Sequence, residues 1–245
     1  MRFFTGLHQP SDAKHFDAAF ISVNRLKGPK GRKAPFPVGD WIMDSGAFTT
    51  ITTHGGYNEP PAEYATLIRR WAGNGCLLAA VAQDYMCEQF VLDITGLTVA
   101  DHQRMTIERY DALSGCDTGG VYIMPVIQGY APEDYVSHIH QYGSRLKPGM
   151  WVGVGSVCKR NGDPAAILAV LTAIHRARPD LLLHGFGLKL TALKSAAICA
   201  LLYTADSMAW SLSARKGGRN PNCWREAKAF ANKISVMLFS KPSAQ

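Results

Sequence analysis

Four apolar runs in this chain stop at polar residues that a packed core would reject. Trp41-Ile42-Met43 leads into Asp44-Ser45-Gly46-Ala47-Phe48, and Leu77 to Ala82 leads into Gln83-Asp84. Met124-Pro125-Val126-Ile127 leads into Gln128-Gly129, and Leu201 to Ala205 into Asp206-Ser207. Gathered in one pocket, three carboxylates and an amide suit a reaction at the anomeric carbon of a sugar. One carboxylate attacks that carbon or stabilises its oxocarbenium character, and a second shuttles the proton a departing base needs. A third accepts hydrogen bonds from the base. Glycosidases use the same two-carboxylate logic, so the pattern leaves the leaving group open. Each aspartate taken singly has a plainer use as a cap for the next turn or helix. Gly153, Gly155, Gly185 and Gly187 would let backbone approach a flat ligand, or would simply make tight turns.

The elements that must position these residues follow from hydrophobic period. Short apolar runs alternate with longer segments of helical period, the signature of βα units. Strands are expected near Arg2–Thr5, Ala19–Val23, Trp41–Met43, Leu77–Ala82, Val121–Ile127, Trp151–Val154, Leu181–Leu183 and Leu201–Thr204. Tyr64, Leu67, Ile68 and Trp71 form one helical stripe, and Tyr135, Ile139, Tyr142 and Leu146 another that Pro132 opens. Asp163-Pro164 starts a helix burying Ile167, Val170, Leu171 and Ile174, and a last helix begins near Asn222. The expected fold is α/β, a single-domain (β/α)8 TIM barrel over residues 1–245, in which all strand ends converge on one mouth. A doubly wound open sheet is the competing arrangement, but no glycine-rich dinucleotide fingerprint supports it. Gly28 to Lys33 lacks Walker spacing and reads as a solvated loop.

The 245 residues suffice for one such core, at 47% hydrophobic and 18% charged. A formal charge of +7 favours an anionic partner such as nucleic acid without demanding one. The start is too quickly interrupted for a signal peptide, and no apolar run is long enough to cross a bilayer, so a cytoplasmic, membrane-free protein is expected. The six cysteines form no CxxC, which favours reduced thiols over a metal site. Order is expected to fade after Phe239.

At the strand ends the chain resembles the tRNA-guanine transglycosylase family, and especially its DNA-modifying branch, which installs 7-deazaguanine derivatives in DNA. Asp44-Ser45-Gly46-Ala47-Phe48 is similar to the family's DSGG-aromatic motif, with alanine replacing the second glycine. Gln83-Asp84 resembles the next site, with a cysteine displaced to Cys87. Gln128-Gly129 resembles the glutamine-glycine base-recognition motif, Gly153-Val154-Gly155-Ser156 a glycine-rich loop, and Leu183-His184-Gly185-Phe186-Gly187 the LMGVG segment. Asp206 matches the aspartate ending the last strand, although the PTR triplet beyond it is missing.

The resemblance implies roles. Asp206 would be the nucleophile and Asp44 the general acid/base. Phe48 and His184 would sandwich a purine whose edge is read by Asp84, Gln128, Gly129 and the backbone of Gly153, Gly155 and Gly185. Lys189, Lys194, Arg215, Lys216 and Arg219 would line a nucleic-acid backbone groove. The CxCxxC-plus-histidine zinc subdomain of tRNA-acting relatives is absent, so no metal and no other cofactor is expected. The implied activity is a pentosyltransferase that exchanges guanine in DNA for a 7-deazapurine such as preQ0 through a covalent aspartyl-sugar intermediate. The alternatives are a tRNA-guanine transglycosylase and a non-catalytic barrel that binds purine or nucleic acid. Free guanine and 7-deazapurine would be the exchanged partners, with room for an accessory DNA-processing protein.

Overall fold

The computed structural model describes residues 1–28, 31–160 and 162–239. Nine parallel strands make one sheet: β1 (Arg2–Gly6), β2 (Ala18–Ser22), β3 (Asp40–Asp44), β4 (Cys76–Val81), β5 (Ile123–Met124), β6 (Val126–Ile127), β7 (Trp151–Val154), β8 (Leu182–Gly185) and β9 (Thr204–Ser207). Their order is β5-β4-β3-β2-β1-β9-β8-β7-β6. The two ends of that list are one segment broken at Pro125. Met124 O accepts from Ala82 N on the β4 side, and Pro125 O accepts from Gly153 N on the β7 side, both at 2.9 Å. One chain segment therefore pairs with both edges and curls the sheet into a nearly closed barrel of eight staves, with helices between them.

Strand parity places the core and the site together. Phe4, Ala18, Phe20, Ile42, Val81, Met124 and Val126 pack inside the barrel, while their neighbours Ala19, Ile21, Trp41 and Met43 pack outward beneath the helices. Side chains alternate faces along a strand. Two steps beyond Ile42 the inward position is Asp44, and two beyond Val126 it is Gln128. Leu183 and Ala205 belong to the outer cluster, so His184 and Asp206 turn inward. Because all strands are parallel, Asp44, Gln128 and Asp206 lie at the same end.

The helices keep their expected places. Pro61–Trp71 buries Tyr64, Ile68 and Trp71. Pro132–Tyr142 buries Tyr135, Ile139 and Tyr142. Asp163 caps Pro164–Ala177 by accepting from Ala166 N at 3.1 Å. The last helix runs Trp224–Phe239 and buries Ala227, Phe230 and Ile234.

The last two strands begin later than expected. Leu201 ends a short helix, Ala196–Leu201, whose N-cap Ser195 accepts from Ile198 N. The strand read at Leu201–Thr204 is therefore Thr204–Ser207, and Asp206 lies within it. The strand read at Leu181–Leu183 likewise runs Leu182–Gly185 and takes in His184. Pro29 and Lys30 of the basic loop, and the tail after Phe239, lie outside the described residues. Among the described residues no helix is long and apolar enough to cross a membrane.

Candidate active site

Asp44 and Asp206 lie at the same end of the barrel, close enough for charge to couple them. Burial pushes the Asp44 carboxyl up to about 6, and the negative charge of Asp206 adds to the rise. Hydrogen bonds from the Ser22 hydroxyl and the Gly46 N–H oppose it. Gly46 N donates to Asp44 Oδ2 at 3.2 Å. Gly46 takes a φ of 74°, and a Cβ there would stand 2.5 Å from Asn24 Nδ2, so this turn requires glycine.

Asp206 is 5% exposed. Its Oδ1 accepts from Gly187 N at 3.0 Å and meets His184 Nε2 at 3.3 Å. The proton direction along this chain follows from its far end. Trp151 Nε1, which can only donate, reaches Thr204 Oγ1 at 2.7 Å, and that hydroxyl lies 2.8 Å from His184 Nδ1. When Thr204 donates to Nδ1, Nε2 carries the hydrogen and donates to the carboxylate, satisfying every group. Oδ2 of Asp206 has no hydrogen-bond partner among the described residues.

His184 is thus misplaced by the sandwich expectation. It is fully buried, stacked on Phe20 at 5.6 Å and edge-on to Phe186 at 4.8 Å. Its ring lies in the barrel interior, because the strand extends to Gly185 and the side chain alternates inward. Its polar neighbours are Thr204 and Asp206. Phe48 stands differently, 45% exposed in the first turn of the helix Ala47–His54 on the rim.

Asp84 and Gln128 meet directly, Gln128 Nε2 donating to Asp84 Oδ2. Burial pushes Asp84 up to about 7; the Gln128 bond opposes this, and the charges of Asp44 and Glu88 add to it. The Gln128 backbone is pinned. Its N–H donates to His138 Nδ1 at 2.8 Å and its carbonyl accepts from Gln103 Nε2 at 2.8 Å. Burial pushes His138 down to about 4, which leaves a neutral ring able to accept.

Two further residues belong to this cluster that the sequence reading assigned no role. Glu88, 4% exposed, and Ser156 extend it from Gln128: Ser156 Oγ lies 2.7 Å from Gln128 Oε1 and 2.9 Å from Glu88 Oε2. The one available signal was a second acid four residues after Asp84. Ser156 has a φ of 54°, the one described non-glycine residue with positive φ.

The glycines earn their positions by packing. A Cβ on Gly155 would stand 2.2 Å from Gln128 Nε2, on Gly153 2.4 Å from Phe186, on Gly185 2.7 Å from Leu188, and on Gly129 2.7 Å from Asp134 Cβ. Gly153 N is spent on Pro125 O and Gly155 N on Ile127 O, while Gly155 O accepts from Tyr135 at 2.8 Å. Those N–H groups belong to the barrel ladder and do not await a base.

Rings topped by cations surround the mouth. Lys159 Nζ lies 4.8 Å from the Phe48 ring centroid and 5.3 Å from that of Phe90, and the Arg160 guanidinium lies 4.3 Å from Tyr130. The basic residues expected to form one groove divide instead. Lys189, Lys216 and Arg219 line a hollow of about 370 Å³ with Lys233, whereas Arg215 acts on His8, lowering its proton affinity together with burial and Arg25. Lys194 only ends the helix Leu190–Leu193. A larger cavity of about 1000 Å³ opens by Arg2, Asp17 and Lys228, at the opposite end of the barrel from the carboxylates. Among the described residues no three His, Cys, Asp or Glu side chains are grouped to hold a metal.

No curated protein matches the chain. A family model does, over residues 1–239, under the description DpdA, DeoxyPurine in DNA protein A. Because that match covers nearly the whole length, the chain belongs to the DpdA family, the DNA 7-deazaguanine branch of the tRNA-guanine transglycosylases.

Proposed function

We propose that this protein exchanges guanine in DNA for a 7-deazaguanine derivative through an ester between Asp206 and the sugar. Membership of the DpdA family supports DNA as substrate and deazapurine insertion as the work. The observation that carries the finer reading is the coupled pair of Asp44 and Asp206 at one mouth.

A guanine nucleotide must leave the base stack to reach that mouth. Asp206 Oδ1 carries the bonds from Gly187 and His184, so Oδ2 is the oxygen placed to attack C1′. As the C1′–O bond forms, the N-glycosidic bond breaks and its electron pair passes to the guanine, which takes a proton from Asp44. The incoming 7-deazapurine then returns its proton to Asp44 and displaces Asp206, and two inversions preserve the β configuration.

Electrostatics times the proton. In the ester Asp206 is neutral, and the part of the Asp44 rise that its charge supplies disappears. Asp44 therefore gives up its proton more readily when the first base departs. It regains proton affinity as the carboxylate re-forms in the second half.

One N-glycosidic bond replaces another, so the balance needs no redox cofactor, nucleoside triphosphate or metal; quantitative metal analysis of the active protein tests that expectation. The rim of Phe48, Phe90 and Tyr130 with Lys159 and Arg160 suits an unpaired strand, whose bases stack and whose phosphates attract cations. The deciding experiment incubates the protein with guanine-containing DNA and free 7-deazapurines, with intact tRNA in parallel, and analyses nucleosides by mass. Deazapurine in DNA alone supports the proposal. Deazapurine in tRNA, abasic sites, or no product from either acceptor overturns it.

A further inference from the structure

Asp84, Gln128, Ser156 and Glu88 form a line of four side chains with a carboxylate at each end and no cation among them. Gln128 links to Asp84, Ser156 Oγ stands 2.7 Å from Gln128, and Glu88 stands 2.9 Å from Ser156 Oγ. Ser156 Oγ also accepts from Cys87 N at 2.9 Å. No Lys, Arg or His nitrogen forms an ion pair with either carboxylate among the described residues.

The line cannot be satisfied without one extra proton. Each of its three contacts needs a hydrogen, and Ser156 has only one to give. With the Gln128 N–H toward Asp84, Ser156 donates to Gln128 Oε1, and the Ser156–Glu88 contact needs a proton on Glu88. With the amide turned over, Gln128 donates to Ser156 and Ser156 to Glu88, and the Asp84–Gln128 contact then needs a proton on Asp84. Amide orientation is assigned from such networks, and the count is the same for both orientations.

We propose that Asp84 and Glu88 share a single proton through Gln128 and Ser156, which makes Glu88 a specificity-determining residue for the base edge. The inference rests on the reading that Asp84 and Gln128 meet the base. With the proton at Glu88, Asp84 is a full acceptor and Gln128 keeps a second N–H for the pocket. That pattern complements a purine edge with a carbonyl beside an N–H and an amino group. With the proton at Asp84, that hydrogen and the Gln128 oxygen satisfy each other, and discrimination weakens.

The surroundings leave the proton nowhere else to go. Burial pushes Cys158 up to about 12, and Cys87, Tyr57, Tyr64 and Tyr135 also upward, so these groups stay protonated. Burial pushes His102 and His138 down, so they stay neutral. Lys159 and Arg160 lie over the rim rings, and Asp134 binds the N–H groups of Tyr130 and Ala131. Asp44 is the other nearby acid, raised by burial and by the charge of Asp206.

The test uses the intact protein, free guanine as the probe, and Glu88→Gln, Ser156→Ala and the double variant, from pH 6 to 9. Guanine affinity and the thermal unfolding midpoint are both measured. A carboxamide at 88 donates to Ser156 without titrating. Wild type should lose affinity and unfolding midpoint as the shared proton leaves. Glu88→Gln should hold guanine at least about tenfold more tightly than wild type at pH 9, with a flatter midpoint profile between pH 6 and 7. In the Ser156→Ala background, where the line is cut, Glu88→Gln should change affinity by less than about twofold. Midpoint profiles that coincide for wild type and Glu88→Gln overturn the shared proton whatever guanine does. An equal gain in affinity with and without Ser156 overturns the line as its route. If the midpoint profiles differ as expected but guanine binds at no pH, the shared proton stands and the base-reading assignment of Asp84 and Gln128 falls. Should Glu88→Gln fail to fold, Ser156→Ala alone decides: its guanine affinity should not vary with pH above 7, and a wild-type profile overturns the proposal.

Discussion

His184 Nε2 stands 3.3 Å from Asp206 Oδ1, one inward-facing level below it in the barrel, where His184 pairs with Thr204 in the strand register. The histidine that sequence resemblance set over a base is instead a support for the carboxylate assigned to the sugar. Trp151 and Thr204 hold the ring, and the ring holds Oδ1, which leaves the other oxygen clear.

Replacing His184 should therefore damage the chemistry more than the grip on a base. We expect His184→Asn to lower kcat about 10²-fold through misplacement of the nucleophile, with KM for the incoming base changed less than threefold. Steady-state kinetics on DNA decide this. A loss confined to KM would return the residue to the base pocket.

Asp206→Asn should preserve fold and base binding and lower exchange by on the order of 10⁴-fold. Denaturing electrophoresis with labelled DNA should show a protein-DNA adduct for wild type and none for the variant. Near-normal exchange, without reversion of the amide to a carboxylate, would overturn the assignment.

In the proposed exchange Asp44 must be protonated when guanine leaves. Since burial and Asp206 raise its carboxyl to about 6, single-turnover guanine release should fall about tenfold per pH unit above that value. Asp44→Asn should be slow and flat over the same range. A wild-type rate rising from pH 6 to 8 would contradict the role.

Stability should carry the opposite signature from an ordinary ion-paired carboxylate. The Asp84 carboxyl is raised in the folded protein from 3.8 to about 7. Its favourable contribution is thus fully present below pH 4 and is lost as pH climbs to about 7. A rise of about three units corresponds to ~4 kcal/mol at most. Asp84→Asn should therefore unfold at increasingly higher temperature than wild type between pH 4 and 7, with the gap levelling above, as scanning calorimetry would show.

Phe48→Ala should weaken binding of unpaired DNA by ~1–3 kcal/mol if its exposed ring stacks on a base. Filter binding at two salt concentrations would show an unchanged salt slope, because a ring and not a charge is removed. An altered slope with unchanged affinity at low salt would remove stacking from the account.

Much of this arrangement was legible because a strand has a period of two. Once Ile42 and Val126 face inward, Asp44 and Gln128 must as well, and parallel strands bring them to one mouth. Expectation and structure part where apolar runs are not strands. Leu201 and Leu202 close and follow a helix of six residues, too short for a helical period to show, and so the final strand begins later than its apolar run implies. Leu181 packs ahead of β8, which hid the fact that His184 lies within the strand. Glu88 and Ser156 had no such rule to expose them, since they meet only when the loops after β4 and β7 fold together. Closeness in sequence predicts one basic surface near the last staves, but Arg215 and Lys216, adjacent in the same helix, serve different surfaces.

The break at Pro125 leaves the segment that leads to Gln128 with only two residue pairs on each side. Asp44 sits on a strand joined to β2 over five residue pairs, and Asp206 on one joined to β1 over four. Gln128 follows a strand held to β7 by only two pairs, and β5 is held to β4 by two. Amide hydrogens there should exchange with solvent before those of the long registers. An enzyme that swaps bases while keeping hold of the sugar has to release one heterocycle and admit another without letting go of the backbone. With Gln128 on the seam, and Asp44 and Asp206 each on a strand with one longer register, the proposed base contact can breathe while the proposed sugar chemistry stays still.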